Sequence, residues 1–385
     1  MISSPLPLIA ALIALVALAE WLARKTFLRH LGAALLVIVL TAVAANVGLL
    51  PTYGPDTKVY AAIFDYLAPL GIFWLLLLVD LRSLWKVGGF ILILFLIGAV
   101  GTVAGVLAAA AAVGGRGALG PFHHAIAGMY VATYVGGSVN FNAVALSYQV
   151  VADGALYAAA AAVDNAMTTV WMAATVALPR LLAPLWPAPE ATADLPSAHL
   201  PIDDEIETTT VFDASLVIAL GMAAVAASEA AAAWLSASLG FQVPSALVLT
   251  TVALALAQVP AVQRLRGTRF LGLFAVYLFL AVIGALCDLG ALARSGGLAL
   301  TLCAFVAITI AVHAAVTFGA ARLLKIDPAT ASVASQANIG GSTSALALAR
   351  SLGRGDLELP AILVGSLGNA LGNYLGFFTA GWLEP

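Results

Sequence analysis

Two stretches of this 385-residue chain share a glycine pair followed by serine, and they decide how the fold is interpreted. Residues 134–145 read YVGGSVNFNAVA, and residues 338–349 read NIGGSTSALALA. The Gly-Gly-Ser core and two later alanines coincide at an offset of 204 positions. The same offset places Asn165 over Asn369, each followed by alanine. This agreement in motif, order and offset predicts an internal repeat.

The composition is typical of a membrane protein. Hydrophobic residues make up 63% of the chain and charged residues only 9%, against roughly 25% charged residues in a soluble domain. With a mean hydropathy of +1.06, the chain has too little polar surface to cover one large soluble core. The net charge of -3 offers no basic surface for nucleic acid. The two cysteines, Cys287 and Cys303, match neither a zinc site nor a disulfide framework.

Ten apolar runs have the length that a membrane crossing requires, which is about 20 residues for roughly 30 Å of hydrocarbon. The predicted crossings are 6–23, 31–50, 59–79, 87–113, 155–178, 216–239, 244–260, 270–287, 298–320 and 360–382. No Lys or Arg precedes the first run, so we expect a retained helix rather than a signal peptide. Two further apolar segments, 121–151 and 328–352, are interrupted by the Gly-Gly-Ser motifs.

A polar stretch near the middle of the chain divides it into two halves. It carries seven acidic residues and no basic one. We therefore predict an N-terminal membrane repeat over 1–186, an acidic cytoplasmic linker over 187–213 and a C-terminal membrane repeat over 214–385.

The distribution of Lys and Arg selects a topology, because basic residues prefer cytoplasmic loops. If both Gly-Gly-Ser segments crossed fully, the 16 basic residues would be shared evenly between the two sides. If both are re-entrant, only Lys58, Arg116 and Arg294 lie outside. The sequence thus predicts an all-α polytopic membrane protein of two inverted repeats with its N-terminus outside. Each repeat has five crossing helices plus one glycine-kinked segment, for which a broken crossing helix is the alternative to a re-entrant hairpin.

Polar residues cluster around both glycine pairs and form the predicted substrate and ion site. Opened helix ends present N–H groups that favour anions, and freed oxygens can coordinate a cation. Neutral oxygen and amide groups suit Na⁺ and a carboxylate better than a transition metal. The predicted site residues at the two motifs are Thr133, Tyr134, Gly136, Gly137, Ser138, Asn140, Asn142, Gln336, Asn338, Gly340, Gly341, Ser342 and Thr343.

Asp164 is a further candidate because it lies in the middle of the crossing that follows the first motif. A carboxylate in hydrocarbon is costly unless it is paired, hydrated or protonated. Asn165, Asn369 and Asn373 complete the predicted site. Na⁺ is predicted to bind at Ser138, Asn140, Asp164, Asn338 and Ser342.

Other polar residues within the apolar runs carry weaker signals. Asp65 is expected to face either a cavity or its mouth. Glu20 and Glu229 lie toward the ends of their runs, each with a tryptophan nearby, and are expected to be interfacial. His313 stands alone in an apolar helix and is expected to be a packed core residue.

The motifs resemble those of the YjcL-like integral membrane family, a domain of unknown function. The resemblance covers nearly the whole chain and rests on residues 133–141, 164–165 and 337–342. That family is similar in turn to the glutamate, citrate and bile-acid sodium symporters and to the cation:proton antiporters. The resemblance implies re-entrant tips at both glycine pairs, a homodimer and a bacterial inner-membrane location. The Asp164–Asn165 pair matches an antiporter motif in reversed order, and the antiporters' lysine has no obvious counterpart.

The sequence as a whole favours a secondary transporter that couples Na⁺ to the symport of a small organic anion. A cation:proton antiporter is the alternative, and the coupling ion would then be H⁺. An intramembrane serine hydrolase built on Ser138 is a remote third reading, because a base at His123 would lie about 22 Å away along a helix. We therefore expect no enzyme activity, no cofactor and no nucleic-acid partner; the expected partners are membrane lipid and an anionic small molecule.

Overall fold

The computed structural model describes residues 4–27, 32–51, 58–79, 81–82, 89–182, 186, 209–240, 243–287 and 296–384. Within these ranges the chain is helical and contains no strand. The helices of the first half are α1 (Pro5–Lys25), α2 (Gly32–Asn46), α3 (Lys58–Leu76), α4 (Gly89–Val113), α5 (His123–Gly136), α6 (Ser138–Ser147) and α7 (Gly154–Leu182). Those of the second half are α8 (Val211–Leu239), α9 (Ser245–Ala257), α10 (Thr268–Leu286), α11 (Gly296–Leu323), α12 (Pro328–Ile339), α13 (Gly341–Ser351) and α14 (Glu358–Leu383).

Each of the ten predicted apolar runs is a helix, and the all-α polytopic prediction is confirmed. Seven of the described helices are long and apolar enough to cross a membrane. Helices α2 and α9 are also apolar but have only 15 and 13 residues, so each is about 20 Å long. Helix α7 has 29 residues, but polar side chains such as Asp164 and Asn165 interrupt its apolar character.

The predicted linker over 187–213 lies mostly outside the described residues, and its last residues belong to α8. The backbone N–H of Asp213 donates to the Thr210 hydroxyl at 3.1 Å, and the Asp213 carboxylate accepts from the backbone N–H of Thr210 at 3.4 Å. This capping box satisfies two N–H groups that the helix cannot bond internally. Helix α8 therefore begins at Val211, five residues before the apolar run that predicted it.

The contacts between helices divide the bundle into two groups. The scaffold group comprises α1, α2, α3, α8, α9 and α10, and the core group comprises α4 to α7 and α11 to α14. In the core group, α4 packs closely along α11 because glycines replace larger side chains at the interface. A Cβ atom at Gly105 would lie 2.6 Å from the carbonyl oxygen of Thr309. Such close backbone approach is the usual way in which small residues join membrane helices.

The two halves have the same order of helices and make equivalent contacts. Helix α5 packs on α14, and its counterpart α12 packs on α7. Likewise α2 packs on α10 as α9 packs on α3, and α1 contacts α10 as α8 contacts α3. If the two halves are exchanged, each of these helix contacts becomes its counterpart. Most helix–helix contacts of the core group therefore join one half of the chain to the other.

Candidate functional site

The first Gly-Gly-Ser segment turns back on itself. The ring of His124, at the start of α5, lies 5.3 Å from the ring of Tyr148, just beyond the end of α6. Tyr130 and Phe141 make a similar contact between the two arms at 6.0 Å. Because the beginning and the end of the segment lie together, α5 and α6 form a hairpin, called hairpin 1 (residues 123–147).

The second segment turns back in the same way. Asp327 caps the N-terminus of α12 by accepting the backbone N–H of Thr330 at 2.9 Å. The same carboxylate accepts from Arg354, which lies beyond the end of α13, at 2.7 Å. This ion pair joins the start of α12 to the end of α13 and so closes hairpin 2 (residues 328–351).

The two glycines of each pair have different structural roles. A side chain at the first glycine has no room: a Cβ at Gly136 would collide with Asn140 and the Gly368 carbonyl, and one at Gly340 with Gln336 and Ser344. The second glycine has positive φ, +88° at Gly137 and +76° at Gly341. L-residues rarely adopt that region. Equivalent glycines therefore form both turns.

Hairpin 1 lies along α14 with its base toward the C-terminal end of that helix. A Cβ at Gly376 would lie 2.8 Å from the carbonyl oxygen of Gly128, near the start of α5. Toward the tip, the carbonyl oxygen of Val135 approaches Gly368 so closely that a Cβ there would collide with it.

Hairpin 2 lies along the same helix from the other end. At its base, Arg350 donates to Glu358, the first residue of α14, at 3.1 Å. At its tip, the backbone of Ser342 lies directly against Gly365, where a Cβ would collide with it. The two hairpins thus approach from opposite ends of α14, and their tips meet at adjacent positions on that helix.

At the tip of hairpin 1, Asn140 is the central polar residue. It is fully buried, and its amide donates to the carbonyl oxygen of Asn369 at 3.1 Å. Its side-chain oxygen is buried without a hydrogen-bond partner. Ser138 is exposed, and the Asn369 side-chain oxygen would lie 3.7 Å from a Cβ at Gly137. The tip therefore combines an available buried oxygen with an accessible hydroxyl.

Asp164, on α7, contacts α5 close to this tip. The carboxylate is 4% exposed, and the Thr133 hydroxyl lies 3.3 and 3.4 Å from its two oxygens. The Tyr134 side chain is adjacent to it. Asp164 forms no ion pair with any described Lys, Arg or His. Asn165, in contrast, donates to the Ala161 carbonyl of its own helix at 2.8 Å and is only partly buried.

At the tip of hairpin 2, the central polar residue is Asn338, which precedes the turn, whereas Asn140 follows the turn of hairpin 1. Asn338 is fully buried, donates to the Phe95 carbonyl oxygen at 3.0 Å, and leaves its own side-chain oxygen unpaired. Gln336 accepts from the Thr175 hydroxyl of α7 at 3.2 Å. Ser342 is partly exposed and Thr343 is exposed.

Two predicted site residues lie away from the tips. Asn142 accepts a short hydrogen bond from the Tyr157 hydroxyl and so links α6 to α7. Asn373 donates to the Thr250 hydroxyl of α9 at 2.7 Å. Since α9 belongs to the scaffold group, Asn373 joins the two groups of helices.

His313 is a polar core residue whose importance the sequence does not reveal. It is completely buried, and Nδ1 lies 2.9 Å from the Gly98 carbonyl oxygen, which can only accept a hydrogen bond. Nδ1 therefore carries the proton, and Nε2 accepts from the Ser335 hydroxyl at 2.8 Å. Ser335 in turn accepts from the Trp171 indole at 3.1 Å.

The histidine network reaches both hairpins. Thr102 lies 3.0 Å from His313 Nδ1, and its hydroxyl lies 3.2 Å from the carbonyl oxygen of Tyr134 in hairpin 1. Ser335 belongs to hairpin 2. The described residues contain no group of three His, Cys, Asp or Glu side chains that could hold a metal ion. Among the described residues of the core group, Asp164 and Glu358 are the buried carboxylates, and Glu358 pairs with Arg350.

Comparison with known proteins shows which family the chain belongs to. A family model described as "Protein of unknown function (DUF819)" matches residues 7–385. The chain belongs to the DUF819 family. It is 31% identical over 363 residues to "Uncharacterized membrane protein YjcL" of Bacillus subtilis (strain 168), with 89% of this chain and 87% of that protein covered. The DUF819 match includes both hairpins, α7 and α14, and it confirms the resemblance found in the motifs.

Proposed function

We propose that this protein is a secondary active transporter that carries a small organic anion together with Na⁺ by alternating access. The observation that carries the proposal is the meeting of two hairpin tips on α14, one approaching from each end. If α14 crosses the bilayer, each hairpin is re-entrant from a different side. Non-helical backbone at membrane depth is tolerated where it is buried in protein or lines a cavity, and transporters of inverted repeats place their sites there.

The anion would bind at the starts of α6 and α13. Both helices begin at a tip, so their first N–H groups lack carbonyl partners within the helix. Such N–H groups and the helix dipole favour a carboxylate. The hydroxyls of Ser138 and Thr343 are exposed beside them. In this proposal Ser138 binds substrate and does not act as a nucleophile.

The coupling ion would use oxygen atoms beside the tips. Asn140 and Asn338 each hold a buried side-chain oxygen without a partner, and Asp164 supplies a carboxylate. Oxygen ligands are those that hard cations prefer. Ser138 and Ser342, the remaining predicted ligands, stand at the turns, where they are partly or fully exposed.

The equivalent contacts of the two halves support inverted repeats. Five crossing helices and one hairpin per half reverse the orientation of the second half, as the distribution of Lys and Arg predicts. The core group, which contains both hairpins, would then move against the scaffold group. Asn373 and Thr250 lie at the boundary between them.

Transport by reconstituted protein tests the proposal. Proteoliposomes with an inward Na⁺ gradient would be offered radiolabelled monocarboxylates, dicarboxylates and amino acids. We expect Na⁺-dependent uptake of at least one class, with strong loss on Ser138→Ala combined with Thr343→Ala. Glu20→Gln is the control because Glu20 pairs with Arg24 at the surface. The proposal would be contradicted if the proteoliposomes take up no class of substrate, or if uptake does not depend on Na⁺.

Cation:proton antiport is the second candidate, and the burial of Asp164 without a basic partner favours it. Asp164→Asn separates the two functions. An antiporter would lose all exchange of protons for cations, which a pH-sensitive dye inside the vesicles reports. A symporter would keep substrate binding, measured by thermal stabilisation, and lose its Na⁺ dependence.

A further inference from the structure

A cavity lies away from the hairpin tips. Its volume is about 390 Å³, and it is an open cavity lined by α3, α8, the start of α9 and the turn that follows α6. With α6 rising about 15 Å from its first residue to its last, the cavity stands at the base of hairpin 1 rather than at its tip. In the predicted orientation, this base faces the outside.

The cavity is acidic. Asp65 and Glu229 both line it, and no Lys, Arg or His is among the described residues that do so. Neither carboxylate has a hydrogen-bond or ion-pair partner in the described part of the chain. Both residues are exposed, so their carboxylates are accessible to a ligand. Glu229, which the sequence predicts to be interfacial, thus also lines this cavity.

Two further features support a ligand site in this cavity. Ser228 lines it, is 1% exposed, and has a hydroxyl without any hydrogen-bond partner. Asp65 lies on a π-helical turn, Ile63–Leu67, within the otherwise α-helical α3. Turns of this kind are rare and occur frequently at functional sites.

The residues that line the cavity indicate the kind of ligand. Apolar side chains, including Phe64 and Leu249, complete the cavity, and an edge-on contact with Phe279 at 5.6 Å holds the Phe64 ring in place. The volume is far larger than the roughly 30 Å³ that one water molecule takes up and falls in the range of small-molecule sites. Aromatic faces also attract organic cations.

We propose that this cavity binds a small organic cation through its ammonium group. Asp65 and Glu229 neutralise the charge, the Ser228 oxygen accepts one ammonium N–H, and Phe64 and Leu249 contact the alkyl part. The inference does not depend on the proposed transport function, because none of these residues belongs to the tips.

Thermal stabilisation of the purified protein by n-butylammonium chloride tests the inference. We expect a saturable rise in Tm that NaCl and sodium butyrate at the same concentration do not produce. Asp65→Asn combined with Glu229→Gln should raise the half-maximal concentration at least tenfold, and Ser228→Ala a few-fold. Glu20→Gln, outside the cavity, should leave it unchanged. Leu249→Trp, which fills the cavity and keeps both charges, should also abolish the effect.

Two results would overturn the inference. If NaCl stabilises the protein as well as butylammonium does, and the double variant removes that effect, the cavity is a metal-ion site. If butylammonium acts equally on the double variant and on Leu249→Trp, it binds elsewhere. The Ser138→Ala, Thr343→Ala variant serves as a separate check: it should lose transport and keep the butylammonium effect.

Discussion

Gly365 and Gly368 lie three residues apart on α14, and each is in contact with the tip of a different hairpin. Three residues correspond to about 4.5 Å of helix rise, so the two non-helical turns lie within one helical turn of each other. Neither position has room for a Cβ atom. The close approach of the tips therefore depends on two missing side chains of a single helix.

Gly368→Ala is expected to destabilise the protein by about 1–3 kcal/mol, because the added methyl group would collide with the Val135 carbonyl and force the tip away. The matched control is Gly381→Ala on the same helix, where a Cβ would meet nothing within 4 Å. Thermal unfolding in detergent would measure both. Equal Tm values for the two variants would show that the tip of hairpin 1 does not pack against α14 at Gly368.

Gly137→Ala should also be destabilising, for a reason of backbone conformation. At φ +88° and ψ 174°, Gly137 adopts a region that is essentially restricted to glycine, and another residue there costs on the order of 1–3 kcal/mol. Asn, which tolerates the left-handed helical region, should not rescue this position. Gly89→Ala, which has free space and no positive φ, is the control and should be neutral. A stable Gly137→Ala variant would contradict this account.

His313→Ala should loosen the association of the hairpins, because it removes the bonds to Gly98 and Ser335 and leaves buried polar groups unpaired. Each group left unpaired costs about 1–3 kcal/mol. We expect a lower Tm and faster amide exchange in both hairpins. His123→Ala, at the base of hairpin 1, should leave hairpin 2 unaffected. Exchange that rises in α11 alone would show that the network does not join the hairpins.

Stability should decrease in acid because of the ion pairs at the base of hairpin 2. Burial alone would raise the pKa of Asp327, but hydrogen bonds from Thr330 and the charge of Arg354 lower it below 3.8. Hydrogen bonding to Arg354 likewise lowers the pKa of Asp356. A pKa lowered in the folded state adds stability above the unfolded pKa, which is lost as the pH falls through the folded value.

Arg354→Gln should weaken this acid dependence, although Asp327 keeps its hydrogen bonds from Thr330. The variant should cost about 1.5–3 kcal/mol at neutral pH, the range for hydrogen bonds to charged groups. Tm values recorded from neutral pH down to roughly pH 3 would measure both effects. Arg24→Gln is the control: its side chain is 73% exposed, and pairs of that kind contribute little. If the acid dependence of Arg354→Gln is the same as that of the unmodified protein, other carboxylates cause it.

The sequence predicts the helices and both turns because their signals are local. Apolar runs of sufficient length become helices, and the glycine pairs at an offset of 204 become the two turns. Asp164 is also predictable, since a carboxylate in an apolar run stands out. The start of α8 is missed because the cap formed by Thr210 and Asp213 is polar and precedes the apolar run.

Contacts between distant segments could not be predicted in this way. The partners of His313 on α4 and α12 lie 215 and 22 residues away along the chain, so the mostly apolar sequence around it does not reveal them. The side-chain direction of Asn373 and that of Glu229 depend on how α14 and α8 are rotated within the bundle. One signal was available: glycines at 365, 368, 372 and 376 follow the spacing of one helix face.

The shared turn of α14 restricts how the hairpins can be displaced. Sliding hairpin 1 toward the N-terminal end of α14 by one turn, about 5.4 Å, would place its backbone where Ser342 now lies. Hairpin 2 meets the same steric barrier in the other direction. Neither tip can advance past the other, so a hairpin that slides along α14 can move only away from the opposite tip.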